Sequence, residues 1–226
     1  MNEYVLDIEI NADGINKILN NHEKVVIVRS FDDESPHAVV CFSLEPFGEK
    51  NQITFCPTIY EYASLQQIND FEEVEFSVTS NEVFIGKTYI FKENAFDASI
   101  DGIPDKYGLD NQQQTTEILS ISAGLVQEIK YSGTLFKTAL NIATVPKNQT
   151  IFFSPLNKIK IFLATNMKNG LIIPQNILMP NQMNKSSKQN TMSSFIIGKY
   201  LEVALDNDTT TIHYNNQTNV FSPGPY

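Results

Sequence analysis

Apolar and polar side chains alternate in short segments along much of the chain, and this period of two is typical of half-buried β-strands. Residues 4–10 show the pattern, with Leu6, Ile8 and Ile10 separated by acidic residues. Continuous apolar runs with many β-branched residues favour central strands. Further strands are predicted at residues 25–28, 74–78, 83–85, 88–91, 118–131, 151–153 and 159–165. The chain is therefore predicted to be all-β, with one or two tandem antiparallel β-sandwich-like units.

The segments on either side of residues 45–51 predict a hairpin, because that stretch is rich in turn-forming residues. In the register that centres the turn on this stretch, Phe42 of the first strand faces Phe55 of the second. Cys41 faces Cys56 on the other side of the same pair. A shift of one residue would scramble the matched apolar and polar sets, so the pattern favours this register.

Three further segments complete the local prediction. Residues 13–19 predict one or two helical turns, with Asp13 near the start as the cap. Residues 195–205 and 209–214 predict a closing hairpin across a short acidic turn. The polar residues 181–194 are expected to be mobile, and the C-terminal tail has no strand character.

A polar stretch at residues 97–116 contains glycine and proline and is the predicted boundary between two halves. The chain then divides into an N-terminal β unit over residues 1–110 and a C-terminal β unit over residues 111–226. Residues 15–28 align without gaps to residues 140–153, which fits a duplicated unit. Chance similarity between strand–turn–strand segments explains the alignment nearly as well, so both explanations stay open.

Charge restricts the classes of partner. The chain has 226 residues, with 26 acidic and 16 basic side chains and a formal net charge of −10. Binding to a phosphate backbone needs clustered Lys and Arg, and the sequence has no such cluster. We therefore expect no nucleic acid and no anionic membrane surface as partner. No segment approaches the ~20 apolar residues that span a bilayer.

The N-terminal residues lack the basic flank and apolar run of a secretory signal peptide. The expected location is therefore intracellular, in the cytoplasm, an inclusion body or a vacuole.

Catalytic and metal-binding motifs are absent from the sequence. The three histidines have no second ligand at helix or hairpin spacing, as a zinc site would require. No glycine-rich phosphate loop and no Gly-x-Ser-x-Gly element occurs. We therefore expect a non-catalytic protein, not an enzyme, with no catalytic, cofactor-binding or metal-binding residues and no cofactor.

Four carboxylates recur within residues 97–110, at Asp97, Asp101, Asp105 and Asp110. Clustered carboxylates suit calcium, but this spacing differs from that of a helix-flanked calcium loop. A solvated acidic loop is the favoured interpretation, and calcium binding stays open.

Cys41 and Cys56 are the only two cysteines and form the candidate disulfide or thiol pair. Without a secretion signal, two reduced thiols are the default state, and a disulfide within or between chains is the alternative. A cysteine–histidine nucleophile is disfavoured, because His37 lies ~13 Å from Cys41 along an extended strand.

Two functions from different classes remain. The first is a self-assembling structural or storage protein that forms crystals or inclusions, with copies of itself as partner. Its 23 Asn and 12 Gln supply uncharged donors and acceptors for such contacts. The second is a lectin-like or toxin-like β-sandwich binding module, in which Tyr107 and Asn111, or Tyr214, Asn215 and Asn216, would contact a glycan. The absence of Trp counts against a sugar site, because sugar rings often stack on indole.

Three segments carry a resemblance: residues 42–47 (FSLEPF), 51–55 (NQITF) and 60–64 (YEYAS). They resemble segments of small two-part β proteins of bacteria and fungi, among them the crystal-forming octins of fungi. The resemblance covers about a quarter of the chain. It implies a storage or structural body stabilised by disulfides, and it assigns no functional residue.

Overall fold

The computed structural model describes residues 3–32, 35–115, 117–178 and 199–225. Strand accounts for 59% and helix for 6% of the structure, which confirms the all-β prediction. The helical elements are α1 (Ala12–Asn20) and a short 3-10 helix (Gln175–Leu178). In chain order, the strands are β1 (Tyr4–Glu9), β2 (Glu23–Phe31), β3 (His37–Leu44), β4 (Lys50–Ser64), β5 (Val78–Glu82), β6 (Lys87–Lys92), β7 (Ala95–Asp101), β8 (Tyr107–Asn111), β9 (Ser120–Tyr131), β10 (Thr134–Ala139), β11 (Ala143–Pro146), β12 (Thr150–Phe153), β13 (Pro155–Thr165), β14 (Ile172–Pro174), β15 (Leu201–Ala204), β16 (Thr209–Asn215) and β17 (Val220–Pro223).

Across the described ranges these strands form three mostly antiparallel sheets. The first sheet has the order β10-β9-β4-β1-β16-β17, with β5 also paired to β4 and β11 also paired to β9. The second has the order β12-β8-β6-β7, and the third has the order β14-β3-β2-β13-β15. Two pairs, β1 with β16 and β6 with β8, are parallel. Most spatial neighbours are therefore strands that lie far apart in the sequence.

Strands from the two predicted halves pair with one another. From residues 1–110, β1 pairs with β16, β2 with β13, and β4 with β9, and the second member of each pair lies in residues 111–226. The two ranges therefore share sheets. Duplication of an ancestral unit stays a prediction.

The main hydrophobic core lies between the inward faces of the sheets. Alternate residues of β1 and β4 enter it, among them Leu6, Ile8, Ile53 and Phe55, and β2 contributes Ile27. Full burial of each such aliphatic or aromatic side chain contributes about 1.5–3 kcal/mol, so this shared core holds the sheets together.

A second core lies on the opposite face of β2 and β13. Val26, Val28 and Phe162 form it, and the segment after β13 covers it with Leu171 and Ile173. Because β2 and β13 are buried on both faces, their sequences are continuous apolar runs.

The predicted hairpin between residues 39–44 and 52–56 is wrong. β3 pairs with β2 and β14, whereas β4 pairs with β1, β5 and β9. The intervening segment therefore connects two sheets. Phe42 and Phe55 both enter the main core, but from different sheets. The alternation of apolar and polar residues correctly placed both rings in the core. It could not identify which strands lie next to β3 and β4.

The predicted closing hairpin is also wrong. β15 pairs with β13, and β16 pairs with β1 and β17, so residues 206–208 cross from one sheet to another. β17 extends into the C-terminal tail, residues 222–226, which was expected to lack strand character. Residues 181–194 and 195–198, on which parts of these predictions fall, lie outside the described residues.

The predicted helical turns are confirmed as α1, with a different cap. The side chain of Asn11 accepts a hydrogen bond from the Gly14 N–H at 2.8 Å, whereas Asp13 lies within the first turn. There the carboxylate interacts favourably with the positive end of the helix dipole. No helix in the described part of the chain is both long and apolar enough to cross a membrane.

Ser132 and Gly133, a pair of residues that is typical of turns, join β9 to β10. Both residues have positive φ, 49° and 78°, and Tyr131 pairs directly with Thr134. Such a two-residue loop matches the twist of the strands that it connects.

Substitution of Gly124 tests how closely β9 packs against Asn141 and Tyr62. A Cβ at this position would lie 2.3 Å from the Asn141 carbonyl oxygen and 2.9 Å from a ring carbon of Tyr62. Gly124→Ala is therefore expected to lower the free energy of unfolding by about 1–3 kcal/mol, measured by urea denaturation.

Gly48→Ala is the matched control, because the nearest heavy atom to its Cβ would be 4.0 Å away. We expect it to change the free energy of unfolding by no more than about 0.5 kcal/mol. Equal effects of the two substitutions would contradict the close approach of β9 to Asn141.

Candidate functional site

The two cysteines lie in different sheets and are both free thiols. Cys41 of β3 is fully buried, and its Sγ donates a hydrogen bond to the Ile27 carbonyl oxygen at 3.2 Å. Burial raises the pKa of Cys41 to about 12, so the thiol is not a nucleophile near neutral pH. Cys56 of β4 is partly exposed. The register that would have paired them is not formed, and a link between chains stays a prediction.

The four carboxylates of residues 97–110 do not occupy one loop. Asp97 and Asp101 lie on β7 and Asp110 lies on β8. Asp101 pairs with Lys87 at 2.6 Å, and the hydrogen bond from this ammonium lowers the pKa of Asp101. Within the described ranges, no group of three or more His, Cys, Asp or Glu side chains is arranged to hold a metal ion.

Three of the five residues proposed for glycan contact are buried, whereas Asn215 and Asn216 are partly exposed. Tyr107 is 3% exposed, and Asn111 and Tyr214 are 0% exposed. Asn111 donates through Nδ2 to the Val145 carbonyl oxygen at 2.9 Å, and the Tyr214 hydroxyl donates to Asn219. The side chains of Tyr107, Asn111 and Tyr214 therefore belong to the protein interior, and the expectation that these three are exposed is wrong.

Four large apolar side chains are exposed at one end of the second sheet. We call the residues that carry them, named below, the apolar end. Backbone hydrogen bonds join the three segments that carry them: Gly102 N–H donates to Gly86, and Gly86 N–H donates to Lys106. The members are Phe84 (59% exposed), Ile85 (52%), Ile100 (52%) and Ile103 (43%).

Local interactions fix the turn that carries Phe84 and Ile85. Gly86 has φ +80°, and the Phe84 N–H donates to the hydroxyl of Tyr89 at 3.1 Å. The sequence pattern instead placed residues 83–85 in a strand, which hid the exposure of these side chains. In the sequence, Gly86 indicates a bulge or bend between residues 83–85 and 88–91, and the structure has a turn there.

Charges of both signs lie beside the apolar end. Lys87 forms an ion pair with Asp101, and Asp105 and Lys106 are neighbours in the segment that follows Ile103. In a chain with a net charge of −10, these two cations can pair with carboxylates of a second copy.

β7 is the free edge of the same sheet. It pairs with β6 on one side, and no other strand of the described residues pairs with it. Its side chains are exposed at six of seven positions. Its outer edge therefore presents backbone donors and acceptors to which a further strand can pair.

The interior holds a carboxyl group that the sequence analysis did not single out. Glu61 of β4 is 0% exposed, and neither of its carboxyl oxygens has a hydrogen-bond partner among the described residues. Burial raises the pKa of Glu61 well above its usual range, so the protonated form is favoured. Its position between Ile59 and Ala63, which both enter the main core, was a signal that sequence analysis could have used.

Thiol labelling tests the environments of the cysteines. In the native protein we expect a disulfide-exchange reagent to modify Cys56, because Cys41 is buried with a raised pKa. Peptide mass spectrometry before and after unfolding in urea identifies the labelled residue. Modification of Cys41 at the same rate in native and unfolded protein would contradict the structure.

Glu61→Leu is expected to raise the free energy of unfolding at pH 7 by about 1–3 kcal/mol, because it removes a buried polar group without a partner. The unfolded chain ionises Glu61 near the ordinary value of 4.5, whereas the folded chain keeps the proton. Wild-type stability therefore falls relative to the variant as the pH rises above this value. Denaturation at pH 4 and pH 8 measures the difference, and an equal gain at both pH values would contradict this account.

Comparison with models of protein families, with curated protein sequences and with solved structures finds no match to this chain.

Proposed function

We propose that this protein is a non-catalytic structural or storage protein that assembles with copies of itself through the apolar end and the edge of β7. The observation that carries the proposal is the coincidence of two features. Ile100 on β7 and three further large apolar side chains in the adjoining connections are exposed at one end of the small second sheet, and β7 is an edge strand of that sheet.

The apolar end supplies the driving force. Removing apolar surface from water contributes roughly 25 cal/mol per Å², and an aromatic ring such as that of Phe84 is a large part of such a surface. Contiguous exposed apolar groups of this kind are typical of interaction sites. The four side chains of the apolar end therefore stabilise a contact that covers them.

A second copy is the occupant that the charges favour. In a two-fold contact each patch meets itself, so the Lys87 and Lys106 of one copy can approach the Asp101 and Asp105 of the other. Elsewhere the net negative charge opposes contact between copies. The edge of β7 adds backbone hydrogen bonds, which fix the orientation of the two copies.

We propose an intracellular crystal or inclusion body as the setting. The similarity to octins stays a prediction, as does a disulfide between copies through Cys56. The lectin-like or toxin-like alternative loses three of its five proposed contact residues, because Tyr107, Asn111 and Tyr214 are buried, and it keeps Asn215 and Asn216, which are partly exposed.

The double variant Phe84→Ser with Ile100→Ser tests the interface. We expect its self-association to weaken by about tenfold or more, because each substitution removes an exposed apolar side chain from the contact. Sedimentation velocity over a range of protein concentrations measures the change. The same measurement with and without reductant, on wild type and on Cys56→Ser, separates disulfide-linked from non-covalent assembly.

Leu119→Ser is the control, because Leu119 is 76% exposed and lies outside the apolar end. It is expected to leave association unchanged. A wild-type protein that stays monomeric at every concentration would overturn the proposal. A monomer that binds glycans or lipid vesicles would instead support the alternative function.

A further inference from the structure

The segment that carries Phe84 and Ile85 to the apolar end is attached to the strand that contains Glu61. β5 pairs with β4 through Tyr60 with Glu82 and through Tyr62 with Thr79, and an irregularity lies between these pairs.

Two hydrogen bonds strengthen this attachment. The Glu61 N–H donates to the Ser80 hydroxyl at 2.9 Å, and the Val83 N–H donates to the Ile59 carbonyl oxygen at 2.9 Å. The chain then reaches Phe84 directly. The position of half of the apolar end therefore depends on the pairing of β5 with β4.

The carboxyl of Glu61 lies on the inner side of this pairing. The hydroxyl of Tyr107 on β8 is within electrostatic reach of Glu61, and also of Arg29 on β2, Tyr89 on β6 and Glu82 on β5. Burial raises the pKa of Tyr107 as well, which keeps that hydroxyl neutral over the physiological range. An ionised Glu61 would therefore sit in an apolar interior, where an isolated charge is very costly.

We propose that Glu61 couples proton concentration to self-assembly, by holding β5 on β4 when it is protonated and releasing β5 when it is ionised. The inference rests on the proposed function, since the released segment carries two members of the apolar end. In the step itself, the carboxyl O–H bond breaks, the proton passes to solvent, and the carboxylate gains water when β5 separates from the edge of β4 beside it.

β5 is the element that opens most readily. It has five residues, most of them exposed, whereas β9 pairs with the other edge of β4 at nine positions. Local opening follows the elements with the fewest buried contacts. The carboxylate is therefore hydrated through separation of β5, and the large core around β9 is kept.

The protonation state of Glu61 sets the direction in which pH changes the assembly. The protonated, assembled state persists at acid pH, and ionisation of Glu61 at higher pH releases β5 and weakens the contact between copies. Other ionisable side chains lie at the same contact, so the effect of Glu61 has to be isolated by substitution.

Hydrogen exchange with mass spectrometry and sedimentation velocity between pH 5 and pH 10 test the inference. In the wild type, we expect the protection of residues 78–85 to fall at least tenfold across a transition, after correction for the intrinsic exchange rate. Dissociation of the assembly accompanies it. Glu61→Gln is expected to abolish both changes, and Glu61→Leu gives the same test should the glutamine variant not fold.

Glu82→Gln is the control, because Glu82 lies on β5, the strand that is released, and its side chain is exposed. It is expected to keep the transition. A transition that is unchanged in Glu61→Gln, or an assembly that is insensitive to pH in wild type, overturns the coupling and leaves the proposed function intact. A monomeric wild type overturns the proposed function, while loss of protection in residues 78–85 still reports on the release of β5.

Discussion

The fold depends on the pairing of β4 with strands from three separate parts of the sequence. β4 spans 15 residues and meets β1 and β5 along one edge and β9 along the other. A buried backbone must satisfy its hydrogen-bonding groups, and a central strand does so only when both neighbours are present. The neighbours of β4 come from three separate parts of the sequence. Their pairing therefore fixes the first sheet, and with it the face that bounds the main core.

The same strand carries the most unusual group in the protein. Glu61 faces the core from the middle of β4, where the carboxyl is shielded from water on every described side. A protonated carboxyl is tolerated in such a place at moderate cost, and a carboxylate is not. The short strand β5 is hydrogen-bonded to β4 at this residue, so a buried carboxyl and a largely exposed strand lie side by side.

The surface shows a complementary arrangement. The chain carries a net charge of −10, and such a charge opposes contact between copies. At the end of the second sheet apolar side chains are exposed, Lys87 and Lys106 lie nearby, and β7 is an edge strand. In the assembly that we propose, these features would favour one orientation of contact over many.

Periodicity along the sequence determined which side chains face inward. Leu6, Ile8, Phe42 and Phe55 were placed in the core correctly, because alternation is a local property of an extended backbone. The all-β class follows from the same alternation, and the turn at Ser132 and Gly133 follows from the two residues that form it.

Only the tertiary structure decided which strands are neighbours, and most errors came from this point. The predicted hairpins assumed that strands adjacent in sequence are adjacent in space, whereas β4 pairs with β9 and β16 pairs with β1. Tertiary contacts also decided the burial of Glu61 and Tyr107 and the exposure of Phe84. Residue type alone predicts the opposite for each of them, since burial depends on what the rest of the chain places above a side chain.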